Sequence, residues 1–443
     1  MNPRVGRLRE LLRDPVRLRE VAREMHPADV AEALQHLPDP EAQQVLEALG
    51  SRGAEAMEYL PPDRQQALLR GIPLEVQAEL LEGMSTDDAA DLLGRLSPEE
   101  ARSLLDRMAP AEAEDVRKLL HYGPQTAGGR MTPEFVAVRQ DWTVEEALEH
   151  LRRMAPRAET VYYVYVVDPE GRLRGVVSLR DLIVAHPGTR IAAVMTTRVI
   201  SVQAEDDQET VARTFKKYGL LALPVVDREG RLVGVVTVDD ILDVVEEEAT
   251  EDAYRLTGLV EVVEAERSPW RRALRRLPWL VALMALESVA AQVVGQFEHI
   301  LQALVALAFF IPMLNDQAGN MGIQCAAFAI RALATGEVDR RTYRTFLARE
   351  VVVGLISALW SAGVAAAIGW VWWRDPRLSL VLALTIFVVM NVAALLGSVI
   401  PLGLTLLRRD PAVASGPFIT SLMDLLTVTV YFTVAVRLLR LGG

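Results

Sequence analysis

The chain has a single cysteine, Cys325, among 443 residues. One thiol excludes an internal disulfide framework and any multi-cysteine zinc or iron–sulfur site. Its position in an apolar run predicts a small buried thiol. The six histidines are scattered without ligand spacing, and there is no Walker loop, no His-Glu-x-x-His and no Gly-x-Ser-x-Gly elbow. These absences argue against an enzyme.

Lysine is absent from residues 271–443, where fifteen arginines and nine acidic residues leave a net charge of +6. The whole chain carries −12, so the first 270 residues carry −18. This acidic surplus argues against nucleic acid as a partner. The N-terminus is charged and lacks an apolar h-region, so we expect no signal peptide. The chain therefore divides into an acidic, charge-rich first part and an apolar second part.

Five apolar runs in the second part are each long enough for the ~20 residues that a membrane-spanning helix needs. They cover residues 278–297, 300–330, 351–373, 378–407 and 412–436. Pro312, Gly319 and Gly322 predict a break in the second run. If the acidic part is cytoplasmic, eleven arginines flank the inner ends of the runs and four flank the outer ends. By the positive-inside rule, the N-terminus is then cytoplasmic and the C-terminus outside.

Three acidic residues, Glu287, Asp316 and Asp424, lie inside these runs with no Lys or Arg among them. A carboxylate within the bilayer costs at least ~2.5–3 kcal/mol and commonly marks an ion path. Unpaired acids imply a visiting cation; the alternatives are an interfacial position, a protonated acid, or a pair with a flanking arginine such as Arg331. The stretch IPMLNDQAGNMGIQ is too polar for lipid and indicates a watery cavity, with close helix packing at its glycines as the alternative.

A twelve-residue repeat runs from Leu60: LPPDRQQALLRG, IPLEVQAELLEG, MSTDDAADLLGR, LSPEEARSLLDR and MAPAEAEDVRKL. Each unit opens with an apolar residue, after which Pro, Ser, Thr or Asp signals a helix start. Helices this short are stable only when they stack. The sequence predicts an all-α helical-repeat N domain over residues 1–125. We expect this domain to act as a scaffold or a sensor lobe.

A longer repeat follows, in which VVDPEGRLRGVVSLRDL at 166–182 matches VVDREGRLVGVVTVDDI at 225–241. MTPEFVAV at 131 likewise matches MTTRVISV at 195. Alternating strands and helices in each copy predict a compact α/β unit. These residues resemble the CBS domain pair, a ligand-sensing module, which implies tandem CBS domains over residues 126–250.

The CBS resemblance implies candidate ligands for an adenine nucleotide such as ATP. In that family a hydroxyl and a carboxylate at a strand end hold the nucleotide, with the acid on the ribose. The matching residues are Ser178 with Asp181 and Thr237 with Asp240. Many CBS pairs bind no nucleotide, so the module is also compatible with a different signal.

Acidic residues are dense in TVDDILDVVEEEATEDAYRL, directly after the second CBS copy. On a helix, Asp240, Asp243 and Glu247 share a face, and their repulsion destabilises the compact state unless cations neutralise it. A solvated acidic helix is the alternative. Because the segment leads into the first span, a force on it would reach the membrane. The sequence predicts a connecting helix over residues 251–276 and a five-helix transmembrane pore domain over residues 277–443.

This order of parts resembles the MgtE family of magnesium channels, and PMLNDQAGNMGIQ and SLMDLLTVTVYF are similar to its pore segments. The resemblance implies a multi-domain homodimer in the lipid bilayer of the cell (inner) membrane, with a central pore for hydrated Mg²⁺. It also implies pore ligands at Asp424, Asn320, Gln324 and Asp316. Asp316 belongs to a departure, because the family is Gly-rich where this chain has residues 315–318.

By the same resemblance, cytosolic Mg²⁺ closes the pore by bridging acids of the N and CBS domains. The matching positions are Glu55, Asp87, Asp91, Glu205, Asp207, Asp240, Asp243, Glu248, Glu251 and Asp252. At Tyr218-Gly219 the family has an acid after the tyrosine, so one regulatory ligand is expected to be missing. Two other functions stay open: a membrane-anchored CBS nucleotide sensor that acts on a partner, and a transporter for Mn²⁺ or Co²⁺, because oxygen ligands accept several divalent cations.

Overall fold

The computed structural model describes residues 14–258, 269–338, 341–407, 409–411 and 416–439. The chain forms two compact units, Met1–Glu246 and Glu247–Gly443. The first unit contains short helices followed by two small sheets, and the second contains long apolar helices.

Short helices make up the N domain, as the twelve-residue repeat predicts. In chain order they are α1 Pro15–Glu24, α2 Pro27–His36, α3 Asp39–Leu49, α4 Ser51–Glu58, α5 Pro62–Leu69, α6 Leu74–Glu82, α7 Thr86–Gly94, α8 Pro98–Leu105 and α9 Pro110–Leu119. Proline occupies the first turn of many of them, where its missing N–H has no helical partner to lose. The apolar residues that open the repeats are all buried: Leu60, Ile72, Met84, Leu96 and Met108. The repeat is therefore confirmed as a stack whose unit-opening residues form the core.

Two three-stranded sheets form the CBS pair. The first copy contains β1 Ala137–Arg139, α10 Val144–Met154, β2 Tyr163–Val167, β3 Leu173–Ser178, α11 Leu179–Val184 and α12 Ile191–Val194; the second contains β4 Val202–Gln203, α13 Gln208–Tyr218, β5 Ala222–Val226 and β6 Leu232–Thr237. In each sheet the middle strand pairs parallel with the first and antiparallel with the third.

The two CBS copies exchange their leading segments. Thr132, ahead of the first copy, bridges to Val235 of the second, and Thr196 bridges back to Val176 of the first. The methionine before each threonine lies against a strand glycine: a Cβ on Gly234 would come within 2.6 Å of Met131 Sδ. The pair is thereby locked by reciprocal contacts, which explains why the MT and GVV segments repeat together.

Helix α14, Val238–Leu256, continues directly from β6. It ends just before Gly258, whose φ of +81° is the left-handed geometry that terminates helices. The next helix, α15, begins at Pro269, and residues 259–268 lie outside the described part of the chain. The predicted connecting helix over residues 251–276 overlaps the end of α14 and the start of α15.

The second unit continues with α15 Pro269–Gln296, α16 Glu298–Ala303, α17 Ala306–Ala334, α18 Tyr343–Trp373, α19 Pro376–Leu406 and α20 Gly416–Leu439. Four of the described helices, α15, α18, α19 and α20, are long and apolar enough to cross a membrane. Helix α17 is not among them, because its polar residues lower its hydropathy. Five spans are therefore not confirmed by length and composition.

The predicted break in the second apolar run is in the wrong place. Helix α17 is continuous through Pro312, and the interruption comes earlier, at Leu304–Val305. The glycines allow close helix contact instead: a Cβ on Gly322 would come within 2.6 Å of Ile419 in α20. The packing alternative is thus the one that the structure supports at these glycines.

Candidate functional sites in the two units

Helices α17 and α20 run antiparallel, with a register that three contacts define. The Tyr431 hydroxyl donates a hydrogen bond to the Leu307 carbonyl at 3.0 Å, near one end of the pair. Further along, Gly319 lies against Thr420, whose Cγ2 would be 3.1 Å from an added Cβ. Gly322 lies against Ile419 and Met423. In this register Asp316, one turn before Gly319, lies level with Asp424, one turn after Thr420.

Helix α15 runs parallel to α20 and adds a third acid. The rings of Phe297 and Phe432 stack with centroids 4.9 Å apart, and the Ser421 hydroxyl donates to Glu287 Oε1 at 3.4 Å. Glu287 therefore lies about one helical turn from the level of Asp424. Both Glu287 and Asp316 interact electrostatically with Asp424. The structure brings the three sequence-predicted membrane acids into one region.

A polar stripe extends from this region along α17. Asn320 Nδ2 donates to Asp316 Oδ2 at 3.0 Å, and Asp316, Asn320 and Gln324 are all exposed in the single chain. Gln324 is two turns, ~12 Å, beyond Asp316, so these two do not meet in one chain. Thr427 Oγ1, one turn after Asp424, is buried without a hydrogen-bond partner among the described residues. Such atoms commonly bond to water or an ion.

A second group of acids, the acidic cluster, lies between the N domain and the first turn of α14. Its members are Glu58, Asp87, Asp88, Glu134, Glu159, Asp239 and Asp240. The Thr86 hydroxyl donates to Glu134 Oε1 at 2.6 Å and joins the N domain to the CBS pair. Ser85 holds both α4 and α7: its N–H donates to Glu58 Oε1 at 2.7 Å and its hydroxyl to Asp88 Oδ2 at 2.9 Å.

Burial and mutual repulsion make these carboxyls hold their protons. Burial, followed by the nearby carboxyls of Asp88 and Glu159, raises the pKa of Asp87 to about 8. Burial and the neighbouring Asp87 raise the pKa of Asp240 to about 8 as well. Burial raises the pKa of Glu58 and of Asp88 to about 7 each, with further acids adding to it. A divalent cation would relieve this repulsion.

The acidic cluster has the donors that a hard cation prefers. Asp87 Oδ1 is buried and has no hydrogen-bond partner within the described ranges, so it is a free oxygen ligand. No three His, Cys, Asp or Glu side chains of the described residues converge closely enough to enclose one ion. Mg²⁺ keeps several waters and is commonly held by only one or two carboxylates. The oxygen donors therefore fit a hydrated Mg²⁺ better than a fully protein-enclosed ion.

Other predicted regulatory acids have local partners. Asp91 lies 3.5 Å from Arg130 and 3.6 Å from Arg95, and Glu205 lies 2.8 Å from Arg228. Asp207 caps α13. Further pairs link Glu55 with Arg52 and Glu251 with Arg255. On α14, Asp243 is exposed, and Asp252 and Glu248 are half-buried, with burial and then Glu248 raising the pKa of Asp252.

The two predicted nucleotide sites differ in their surroundings. In both, the hydroxyl donates to the acid at 2.6 Å, from Ser178 to Asp181 and from Thr237 to Asp240. Ser178 lines a cavity of about 510 Å³ together with Tyr162, Tyr163, Arg180 and Leu221. Asp240 instead belongs to the acidic cluster, where a phosphate would be repelled. The first site is therefore the better candidate for a nucleotide.

Sequence reasoning missed five members of the acidic cluster: Glu58, Asp88, Glu134, Glu159 and Asp239. Asp88 and Asp239 are direct neighbours of predicted ligands, and Glu58 is three residues after Glu55, so those three had a local signal. Glu134 and Glu159 had none, because they are far apart in sequence and come together through tertiary contacts such as the backbone hydrogen bond from the Glu159 N–H to the Glu134 carbonyl, 2.8 Å long.

Family models match most of the chain. A divalent cation transporter model, MgtE, matches residues 311–434, the MgtE intracellular N domain matches residues 25–125, and the CBS domain matches residues 127–188 and 191–247. The chain is 46% identical over 330 residues to the magnesium transporter MgtE of Thermus thermophilus, which covers 74% of this chain and 73% of that protein. The magnesium transporter MgtE of Enterococcus faecalis is 42% identical over 326 residues, covering 74% and 72%.

Solved structures agree for the first unit. A crystal structure of the cytosolic domain of the Mg²⁺ channel MgtE in complex with ATP is 47% identical, with a TM-score of 0.52. It covers 54% of this chain and 99% of that one. The soluble part of another magnesium transporter, 39% identical, gives a TM-score of 0.53 over 56% of this chain and 98% of that one.

Proposed function

Because the chain belongs to the MgtE family of divalent cation transporters, we propose that it conducts Mg²⁺ across the membrane through a path lined by α17 and α20. The observation that carries this proposal is that Asp316 of α17 lies level with Asp424 of α20, with Glu287 of α15 about one helical turn away. Unpaired acids there attract a cation and repel anions. The family resemblance in the sequence is confirmed, and the proposal concerns how these residues perform the transport.

We infer that α17 is the fifth span and faces the conduction path. Its stripe of Asp316, Asn320 and Gln324 is exposed in one chain, and polar groups are tolerated in the hydrocarbon region only against protein or water. A second copy of the chain, related by a two-fold axis, would face the two stripes toward a shared aqueous path. We therefore propose a homodimer, with the N-terminus cytoplasmic and the C-terminus outside by the distribution of arginines.

In this path, Asp424 supplies negative charge and the amides supply neutral oxygens. Mg²⁺ gives up its waters reluctantly, so the side chains would contact the ion's hydration shell. Asn320 orients Asp316 by its hydrogen bond, which keeps that carboxylate near Asp424. Oxygen donors alone do not separate Mg²⁺ from Mn²⁺ or Co²⁺, so transport of those ions is the alternative substrate range.

We further propose that the acidic cluster is the sensor for cytosolic Mg²⁺. When Asp87 in α7 and Asp240 in α14 are ionised without a cation between them, they repel one another, and this repulsion favours separation of the N domain from α14. When both carboxylates share a bound cation, the two elements are held together. Helix α14 continues from the CBS pair into the second unit. Binding of the cation would therefore shift the preferred position of this helix.

The cavity beside Ser178 and Asp181 is the proposed nucleotide site. A related cytosolic domain was crystallised with ATP. In this chain Arg180 lines the cavity, and its positive charge would pair with a phosphate. The hydroxyl–carboxylate pair is suited to ribose. A nucleotide bound there would contact the CBS pair and would not contact the residues of the conduction path.

Mg²⁺ flux into proteoliposomes tests the main proposal. Asp424→Asn removes one charge per chain at nearly constant volume, and we expect at least a tenfold loss of flux with normal insertion and folding. Glu298→Gln, an exposed acid at the start of α16, is the matched control and is expected to keep full flux. Undiminished, selective Mg²⁺ flux through Asp424→Asn would refute the proposed path.

A further inference from the structure

A second cavity, of about 500 Å³, lies in the second CBS copy, between α13 and the segment that precedes β4. Its volume is within the range typical of small-molecule sites. Two of its lining residues are apolar; the others are two cations and four hydroxyls, namely Arg213, Lys217, Ser201, Thr210, Thr214 and Tyr218. No acid lines it, although its half of the chain carries a net charge of −18.

Both cations of this cavity are available to a ligand. Arg213 Nη2 donates to Thr210 Oγ1 at 3.1 Å, and Lys217 Nζ lies 5.0 Å from the centroid of the Tyr218 ring. Neither forms an ion pair with any residue that the structure describes. These contacts orient the two side chains while leaving their charge unneutralised.

The internal repeat supplies a built-in comparison. Helices α10 and α13 are both eleven residues long and begin at equivalent points of the two CBS copies. Thr210 and Arg213 of the second copy therefore take the positions that Glu146 and Glu149 occupy in the first. At these two positions the first copy has acids where the second has a hydroxyl and a cation, whereas Lys217 takes the position of Arg153 in the first copy. The CBS fold itself therefore does not require a cation at the position of Arg213.

We propose that this cavity binds a phosphate group, carried either by a small soluble molecule or by a lipid headgroup. Arg213 offers the planar fork that pairs with two phosphate oxygens, and Lys217 adds a point charge. The hydroxyls supply further donors. Neither Ser178 nor Asp181 lines the cavity, so this site is separate from the proposed nucleotide site and does not depend on it.

Calorimetric titration of the purified full chain with inorganic pyrophosphate, in buffer free of divalent cations, tests the site. We expect Arg213→Ala and Lys217→Ala each to raise the Kd about tenfold or more, the size of one lost charge-assisted hydrogen bond. Lys216→Ala makes the same charge change one residue away, on an exposed side chain outside the cavity lining. It is expected to change the Kd by less than about twofold, because a distant charge is largely screened. Equal thermal midpoints exclude misfolding.

A parallel titration with dihexanoyl phosphatidylglycerol, below its micelle concentration, separates the two sources of phosphate. Binding of pyrophosphate that depends on Arg213 supports a small soluble ligand. Binding of the short-chain lipid alone, with the same dependence, assigns a headgroup. Binding of neither compound, or an equal loss in Lys216→Ala, overturns the proposal.

Discussion

The acidic cluster makes the stability of the first unit fall as pH rises, and a single substitution should weaken this dependence. The pKa of Asp87 rises from 3.8 to about 8 on folding, so the folded chain binds more protons than the unfolded chain between these values. The contribution of Asp87 to stability is therefore most favourable below about pH 4 and falls as pH rises to about 8. Asp87→Asn keeps the shape of the side chain but removes the charge that folding must bury.

The size of the effect follows from the pKa change. A change of one in the pKa corresponds to 1.36 kcal/mol, so the whole change at Asp87 sets an upper limit of ~6 kcal/mol on the change in the free energy of unfolding. Because Asp87 and Asp240 repel each other, the shift is shared between them, and we expect about half of it, ~3 kcal/mol, from one substitution. For a folded unit of this size, a change of 1 kcal/mol in the free energy of unfolding moves the thermal midpoint by ~2–4 °C. Asp87→Asn should raise the midpoint by about 6–12 °C at pH 8 without divalent cations.

Thermal unfolding of the full chain in detergent, at pH 5 and pH 8 and with and without Mg²⁺, measures this. The gain should shrink to about a third at pH 5, because that pH is only about one unit above the pKa of 3.8 that Asp87 has in the unfolded chain, and Mg²⁺ should stabilise the wild type more than the variant. Glu47→Gln, on the exposed face of α3, is the control and should move the midpoint little under any condition. An equal gain at both pH values, or a lower midpoint at pH 8, would refute the reasoning.

Three further predictions concern other parts of the chain. Glu287→Gln should raise the Mg²⁺ concentration for half-maximal flux about fivefold, since one charge acts on a divalent ion ~8 Å away with ~1 kcal/mol at the dielectric constant of water; an unchanged value would place Glu287 outside the path. Gly322→Ala puts a methyl 2.6 Å from Ile419 and should destabilise the membrane unit by ~1–3 kcal/mol, whereas Gly363→Ala, with open space around it, should be neutral in the same thermal assay. Asp181→Ala should weaken ATP binding at least tenfold by calorimetry while Mg²⁺ flux at saturating Mg²⁺ persists; full ATP affinity would exclude this nucleotide site.

Local patterns explain why much of the fold was predictable. Each twelve-residue unit repeats a helix-start signal and a buried apolar residue at its opening, so the helices and part of their core follow from neighbours in sequence. The matching CBS segments gave two α/β units for the same reason. Composition also identified the membrane half, because lipid admits only long apolar helices. The predicted break within α17 was in the wrong place, because glycine permits both helix bending and close helix packing. Only the contact with Ile419 shows that these glycines serve packing.

Local sequence patterns do not show which residues come together when they are far apart along the chain, and the candidate sites are built from such residues. From the amino-acid sequence it follows that acids occur in the membrane half and that α14 is rich in them. Only the packing of the folded chain brings Asp87 to Asp240 across some 150 residues, pairs Asp91 with arginines, and places Glu287 near Asp424. Spacing along the chain determines which side chains share a face of one element, whereas the partner of that face is chosen by how whole elements pack.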